Sequence, residues 1–115
     1  MIPEDLVNLR FAPDMAELLL AGRKTKTSRA KDYGEGRYCV VQGRYFRITR
    51  VWPTTLGTVR RDWYREEGFT SPDAFELRWR QLHRGHFNPE KIVFLHTLQE
   101  VNPECVISKS TREFR

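Results

Sequence analysis

The segment YCVVQGRYFRITRVW, residues 38–52, can adopt few folded structures. Two runs of β-branched and aromatic residues, 38–41 and 44–52, flank the pair Gln42-Gly43. Runs of this composition that are joined by a two-residue turn containing glycine favour an antiparallel β-hairpin. We expect the second strand to end at Pro53, which has no backbone N–H to donate to a neighbouring strand. The chain is therefore predicted to contain an antiparallel sheet.

Helical patterns lie on both sides of this hairpin. Pro13-Asp14 suits the start of a first helix, and Gly22 suits its end. The buried face of that helix is predicted to consist of Met15, Leu18, Leu19 and Leu20. Thr58 is predicted to cap a short second helix, and Ser71-Pro72 to start a third. The buried face of the third helix is predicted to consist of Phe75, Trp79 and Leu82.

The remaining apolar segments are predicted strands. Residues 92–98 are expected to form a central strand, and residues 105–108 a short final one. A chain of 115 residues fits one domain with one core, so we assign residues 1–115 to a single domain. The order of elements predicts an α+β fold, with a curled sheet or small β-barrel and flanking helices.

Positive charge is concentrated in one part of the chain. Residues 23–65 contain twelve Lys or Arg and three acidic residues, whereas the rest of the chain carries eight basic and twelve acidic residues. Concentrated charge of one sign favours an anionic partner, such as a nucleic acid or a phosphorylated small molecule. A solvated, arginine-rich surface would have the same composition, so charge alone leaves both interpretations open.

The segment GRKTKTSR, residues 22–29, places four cations and three hydroxyl groups directly behind the first helix. Because residues 23–37 show no apolar period, they are predicted to form a long loop. One or two cations suffice to neutralise the carbonyl groups at a helix end, and the additional donors suit phosphate oxygens or the acceptor edge of a base. The candidate ligand-binding residues are Arg23, Lys24, Lys26, Ser28 and Arg29, with Tyr33 or Tyr38 as a stacking surface.

The acidic pair Glu66-Glu67 is a second unusual feature. The sequence pattern puts both in the last turn of the short helix, where each opposes the helix dipole by about a few tenths of a kcal/mol. Arg65 and solvent could compensate for this cost, or Glu67 could pair with Lys24 of the distant basic segment. A Lys–Glu pair beside the Thr27 hydroxyl in a cleft would contain the groups for nucleophilic or acid–base chemistry.

The sequence contains no recognisable metal or cofactor motif. Complete phosphate-loop, zinc-deaminase and nucleophile-elbow signatures are missing. His83, His86 and His96 could share a metal, but the site would need a further ligand, so we expect ordinary surface histidines, no metal and no cofactor. Since no segment resembles a signal peptide or a membrane span, we expect a cytoplasmic protein without a membrane partner.

Two motifs in this order resemble those of the ASCH domain, a branch of the PUA-like superfamily. The first is Gly-x-Lys-x-x-Thr-x-Arg at the end of a helix, here Gly22, Lys24, Thr27 and Arg29. The second is Glu-Gly-Phe-x-Ser, residues 67–71, followed by the helix that carries Phe75 and Trp79. The resemblance covers roughly residues 9–101. It implies a small β-barrel with flanking helices, in which the basic segment faces Glu67 across a cleft.

The resemblance also implies two kinds of function. The family is generally thought to bind RNA or nucleotides in this cleft. Small bacterial members that look similar hydrolyse N4-acylated cytosine nucleosides with a Thr nucleophile, a Lys activator and a Glu, which correspond here to Thr27, Lys24 and Glu67. Another member is described as a ribonuclease. Relative to the hydrolases this chain is longer and more basic, and Lys26 and Arg29 suit a polyanionic ligand.

Our first hypothesis is therefore a module that binds RNA, or a modified nucleotide or nucleoside, in a basic cleft. The alternative is an enzyme, either an amidohydrolase of N4-acylated cytosine nucleosides or a ribonuclease. A third possibility is a protein-interaction module that uses the acidic C-terminal half. The sequence specifies neither the ligand nor the oligomeric state.

Overall fold

The structure, a computed structural model, describes residues 5–104. Its helices and strands follow in the order α1 (Pro13–Leu20), β1 (Lys26–Arg29), β2 (Tyr38–Val41), β3 (Arg44–Thr55), α2 (Leu56–Asp62), α3 (Pro72–Leu82) and β4 (Ile92–Val101). The predicted α+β class is confirmed by this order. The strand predicted at residues 105–108 lies outside the described residues.

The four strands form one antiparallel, curled sheet in the order β1-β4-β3-β2. β4 is central, as predicted, because it pairs with β1 on one side and with β3 on the other. The hairpin of β2 and β3 around Gln42-Gly43 is also present. β3 continues through Pro53 to Thr55, so the predicted strand end was wrong. β2 covers only the first part of β3, and proline is tolerated where a strand has a free edge.

The basic segment contains a strand instead of one continuous loop. β1 pairs with β4 in a register that runs from Lys26 opposite Thr97 to Arg29 opposite Phe94. The loop predicted for residues 23–37 was therefore wrong at β1. Four polar residues can form an edge strand when a neighbouring strand supplies their hydrogen bonds, because strand formation depends on context more than on local propensity.

The end of α1 directs the basic segment toward the sheet. Gly22 has a φ of 77°, its N–H donates to the Leu19 carbonyl over 3.1 Å, and the Arg23 N–H donates to the Leu18 carbonyl over 2.9 Å. This pair of bonds is a Schellman motif, in which glycine supplies the left-handed residue. The chain reverses there, and Lys24 enters the interior with 3 % of its surface exposed.

α2 and α3 differ in detail from their predicted limits. Thr55, and not Thr58, caps α2, since the Thr55 hydroxyl accepts the Thr58 N–H. α2 ends at Asp62, so Glu66-Glu67 lies in the turn beyond the helix and not in its last turn. The predicted opposition to the helix dipole was therefore wrong.

α3 begins at the predicted cap, where the Ser71 hydroxyl accepts the Ala74 N–H over 3.0 Å. Phe75 is buried and Trp79 half-buried, as the helical spacing predicts. Leu82 is 54 % exposed, because it lies at the last residue of the helix, beyond the core.

Two apolar clusters hold the helices against the sheet. The cluster beside α1 consists of Leu9, Ala16, Leu19, Cys39, Val41, Phe46, Ile48 and Leu98. The cluster beside α2 and α3 consists of Leu56, Val59, Phe75, Val93 and Leu95. Within residues 5–104, no helix has the length and apolar character needed to cross a membrane.

Candidate functional site

A cleft of about 350 Å³ lies between α1, β1, α3 and the turn that follows α2. Its buried polar lining consists of Lys24, Thr27, Ser28 and Glu67. Its aromatic lining consists of Phe11, Phe69, Phe75 and Trp79. Among the described residues that line it, the charged side chains are Arg10, Lys24, Arg29, Arg78, Lys91 and Glu67. The described lining therefore contains aromatic rings, five Lys or Arg side chains and one Glu side chain.

Lys24 and Glu67 form an ion pair in this cleft. Lys24 Nζ lies 2.8 Å from Glu67 Oε1 and also donates to the Glu67 main-chain carbonyl over 3.0 Å. The two side chains are 3 % and 5 % exposed, so water screens their attraction little. The contact between these two residues that the sequence suggested is present. A buried ion pair is costly to desolvate and is held only by good geometry and further hydrogen bonds.

Ser28 supplies one of those further bonds. Its hydroxyl donates to Glu67 Oε2 over 2.5 Å, so each carboxylate oxygen of Glu67 has its own donor. The sequence identified Ser28 only as a candidate phosphate contact and missed its bond to Glu67. No sequence signal pointed to this bond, because residues 23–37 were predicted to be a loop and the alternation of side chains along a strand was not expected there.

Backbone contacts fix Glu67 relative to β1. The N–H groups of Thr25 and Lys26 both donate to the Glu66 carbonyl, over 2.8 and 2.9 Å. Gly68 has a φ of 103°, and a Cβ atom there would lie 3.3 Å from Lys24 Cβ and 3.0 Å from Leu18 Cδ1. A glycine is therefore needed for the turn to approach this closely. These contacts preorganise the ion pair.

Thr27 lines the same cleft but has a different partner. It lies on β1, not in a loop, and is 4 % exposed. Its Oγ1 accepts a hydrogen bond from Arg29 Nε over 3.3 Å, whereas the Lys24 ammonium is bound to Glu67. The structure thus brings Lys24, Thr27 and Glu67 to one cleft and joins only Lys24 and Glu67 directly.

Arg29 is held at the edge of the cleft by several contacts. Its guanidinium donates to the Arg10 carbonyl over 2.6 Å and lies 4.8 Å from the centre of the Phe11 ring. Hydrogen bonding and cation–π attraction together leave this side chain little freedom.

The other predicted ligand-binding residues do not line the cleft. Arg23 is exposed at the end of α1. Lys26 Nζ lies 5.1 Å from the ring centres of both Trp52 and Trp63, and burial lowers the pKa of this ammonium group. Tyr33 is half-buried, with its ring 5.7 Å from that of His96. Tyr38, the alternative stacking residue, is 8 % exposed and belongs to the core.

His96 is fully buried, so the expectation of a surface histidine was wrong for this residue. Its Nδ1 is 2.9 Å from the Phe94 carbonyl, and its Nε2 accepts the Tyr33 N–H over 3.1 Å. One ring nitrogen must donate and the other accept, which is the pattern of neutral imidazole. Burial lowers the pKa of His96, in agreement with this state. Within residues 5–104, no group of three or more His, Cys, Asp or Glu is arranged to hold a metal.

The fold is similar to that of two solved structures. The ASCH domain from Lactobacillus crispatus superimposes with a TM-score of 0.60 at 17% sequence identity, over 83% of this chain and 77% of that one. A protein of the DUF984 family from Enterococcus faecalis gives a TM-score of 0.55 at 20% identity, over 76% of this chain and 67% of that one. No family model and no curated protein matches the sequence. The chain therefore has an ASCH-domain-like fold, and at these identities the likeness concerns the fold alone.

Proposed function

We propose that this protein is an ASCH-type module, with a PUA-like barrel architecture, that binds a nucleotide, free or within RNA, in the cleft. The observation that carries the proposal is the buried Lys24–Glu67 pair with Ser28, which lies in a cleft lined by aromatic rings and further cations. The proposal includes Thr27 and Arg29 among the ligand contacts.

The chemistry of the cleft matches the parts of a nucleotide. Ammonium, carboxylate and hydroxyl groups at fixed positions can each meet a donor or an acceptor of a nucleobase edge. The aromatic side chains offer apolar contact to the base, and the excess of positive charge suits phosphate. A volume of about 350 Å³ is in the range of small-molecule sites and suits one nucleotide better than an extended polymer.

A blocking substitution at an exposed position tests the proposal. Ala30 is exposed and lines the cleft, so Ala30→Trp should fill the cleft without disturbing the core. Ala21 is exposed and does not line the cleft, so Ala21→Trp is the matched control. Binding of the four nucleosides, their monophosphates and a single-stranded RNA is measured by calorimetry for each protein.

We expect the wild type and Ala21→Trp to bind at least one of these ligands, and Ala30→Trp to lose at least about tenfold in affinity, which is about 1.4 kcal/mol. RNA binding through phosphate contacts should also weaken steeply with salt, because those contacts release counterions. No binding to the wild type, or equal binding to Ala30→Trp, would reject a nucleotide site in this cleft.

A second candidate function is hydrolysis of an amide on a nucleobase, such as an N4-acylated cytosine nucleoside. The observation that favours it is the carboxylate of Glu67 in the cleft, which accepts hydrogen bonds from the Lys24 ammonium group and the Ser28 hydroxyl. In this proposal the Thr27 hydroxyl attacks the acyl carbon, the N4 amine leaves with a proton, and water releases the acyl group from Thr27. Lys24 and Glu67 transfer the protons.

Hydrolysis of N4-acetylcytidine, followed by chromatography, tests this second function. Thr27→Val retains the shape of the side chain without its hydroxyl, and it should lose turnover while retaining the fold. Ser28→Ala is the comparison, because it removes the hydroxyl that Glu67 binds. Full turnover in Thr27→Val would reject Thr27 as the nucleophile, and loss of turnover in Ser28→Ala would show that the reaction depends on the hydroxyl bound to Glu67.

A further inference from the structure

Arg78 of α3 is a lining residue of the cleft whose hydrogen bonds are incomplete. Its Nε atom is buried and has no hydrogen-bond partner among the described residues. The rest of the guanidinium donates to Asp14 Oδ1 over 3.0 Å and to Gln81 Oε1 over 3.5 Å. A buried donor without an acceptor is unfavourable, and native structures contain few of them.

The charge of Arg78 is only partly neutralised. Its acidic partner within residues 5–104, Asp14, is 55 % exposed, so water competes for that carboxylate. Lys91 lines the same cleft and is exposed, and its side chain makes no hydrogen bond or ion pair with any residue in the described range. For Arg10, a third lining cation, the guanidinium has the neutral Asn8 side chain as its partner among the residues that the structure describes. This positive charge is separate from that of Lys24, which Glu67 neutralises.

We propose that Arg78, assisted by Lys91, forms a phosphate subsite of the cleft, so that the ligand is a nucleoside monophosphate and not a free nucleoside. The inference rests on the proposed nucleotide-binding function and narrows its ligand class to a phosphomonoester. The base of that ligand faces the Lys24–Glu67–Ser28 group, and its phosphate faces Arg78.

The Arg78 side chain lines the cleft and is 25 % exposed, so an anionic ligand can contact it there. A guanidinium presents its donors in a planar fork that matches a phosphate group and can bind two oxygens at once. Asp14 already orients one edge of that fork from outside the cleft lining. A ligand phosphate in the cleft would therefore meet a preoriented cation whose charge is only partly neutralised.

Paired ligands and matched variants test this subsite. The four nucleosides and their 5′-monophosphates are titrated by calorimetry into the wild type, Arg78→Gln and Arg61→Gln. Arg61 is exposed and lies outside the cleft lining, so its variant has the same change in charge without loss of the subsite. Lys91→Gln is a second variant, and because Lys91 is exposed, its loss should not affect folding.

At least one monophosphate should bind the wild type and Arg61→Gln about tenfold or more tightly than its nucleoside, a difference of about 1.4 kcal/mol. Arg78→Gln should reduce this ratio to about twofold or less, and Lys91→Gln should reduce it partly while binding of the nucleoside is retained. A 5′-phosphorylated RNA hexamer is titrated as well, because it carries a phosphomonoester at the end of an RNA chain instead of on a free mononucleotide.

The outcomes separate this inference from the function on which it rests. Equal affinity for nucleoside and monophosphate in the wild type, or an unchanged ratio in both variants, overturns the phosphate subsite but retains a nucleoside-binding cleft. Binding of the RNA hexamer alone overturns the assignment of a free mononucleotide. Failure of every ligand to bind overturns both the subsite and the proposed function.

Discussion

Lys24 Nζ lies 2.8 Å from Glu67 Oε1, although 43 residues separate the two in the chain. The pair is nearly excluded from water, with side chains 3 % and 5 % exposed. It connects the end of α1 to the turn that follows α2, so the same contact holds two parts of the fold together and supplies the polar groups of the cleft.

Removing one member of this pair should destabilise the protein strongly. Lys24→Met and Glu67→Gln should each lower the free energy of unfolding by about 3–5 kcal/mol, because each leaves a buried charge without its counter-charge. The double variant should be more stable than the sum of the single losses predicts, by about 1–3 kcal/mol. Denaturant unfolding of the four proteins measures this coupling.

The exposed pair Arg44–Glu100 provides the matched control. Its atoms approach to 2.6 Å, but its side chains are 45 % and 44 % exposed. A double-mutant cycle there should give a much smaller coupling energy, because water screens the charges. Equal coupling for the two pairs would contradict the energetic role of burial at Lys24–Glu67.

Ser28→Ala should cost more stability than Thr27→Val. The Ser28 hydroxyl is a donor to a buried carboxylate, and losing such a bond costs about 1.5–3 kcal/mol. The Thr27 hydroxyl accepts one long bond from Arg29, so its loss should cost about 0.5–1.5 kcal/mol. Chemical denaturation distinguishes the two, and the reverse order would show that Glu67 does not depend on Ser28.

The elements with local signals could be predicted from the sequence. The hairpin follows from its aromatic and β-branched residues around Gln42-Gly43, and the end of α1 follows from Gly22 in the left-handed region. The contact between Lys24 and Glu67 could also be suggested, because an unusual cluster of cations and an unusual acidic pair each lacked a local explanation. The resemblance of two motifs to those of the ASCH domain also indicated this contact.

Features that depend on the pairing of distant strands could not be predicted. β1 exists because β4 offers it hydrogen bonds, and the register of that pairing decides which hydroxyl meets Glu67. A shift of one residue would exchange Thr27 and Ser28 between the two faces of the sheet. His96 was misjudged for the same reason, since its Nε2 accepts the N–H of Tyr33, a residue 63 positions away in the chain.

Gly68→Ala should disturb the site as well as the backbone. A positive φ disfavours alanine by about 1–3 kcal/mol, and the added methyl group would also lie 3.0 Å from Leu18 Cδ1. Gly43 has a φ of 81°, but a methyl group added there would meet no atom within 4 Å, so Gly43→Ala carries the backbone strain alone. Thermal unfolding should therefore show the larger loss for Gly68→Ala, and equal losses would argue against close packing at Gly68.

Acid should destabilise the protein through His96. Burial lowers the pKa of His96 in the folded protein, whereas in the unfolded chain it returns to its usual value of about 6.5. Below that pH the unfolded chain takes up a proton that the folded protein resists, so the free energy of unfolding should fall as pH decreases from about 7.5 to about 5. Interactions with the backbone of Phe94 and of Thr27, and the charge of Asp32, oppose this lowering of the pKa, and the charge of Arg29 adds to it.

Denaturant unfolding across this range, with two histidine variants, isolates the effect. His96→Gln should lose stability at neutral pH, because it removes a buried ring with two hydrogen bonds, but it should also lose much of the pH dependence below about pH 6.5. His83 is exposed, so the free energy of unfolding of His83→Gln should depend on pH as it does in the wild type. If the free energy of unfolding changes equally with pH in wild type and His96→Gln, other groups cause the acid sensitivity. A histidine that is neutral in the folded protein must bind a proton on unfolding, so its removal has to reduce this change.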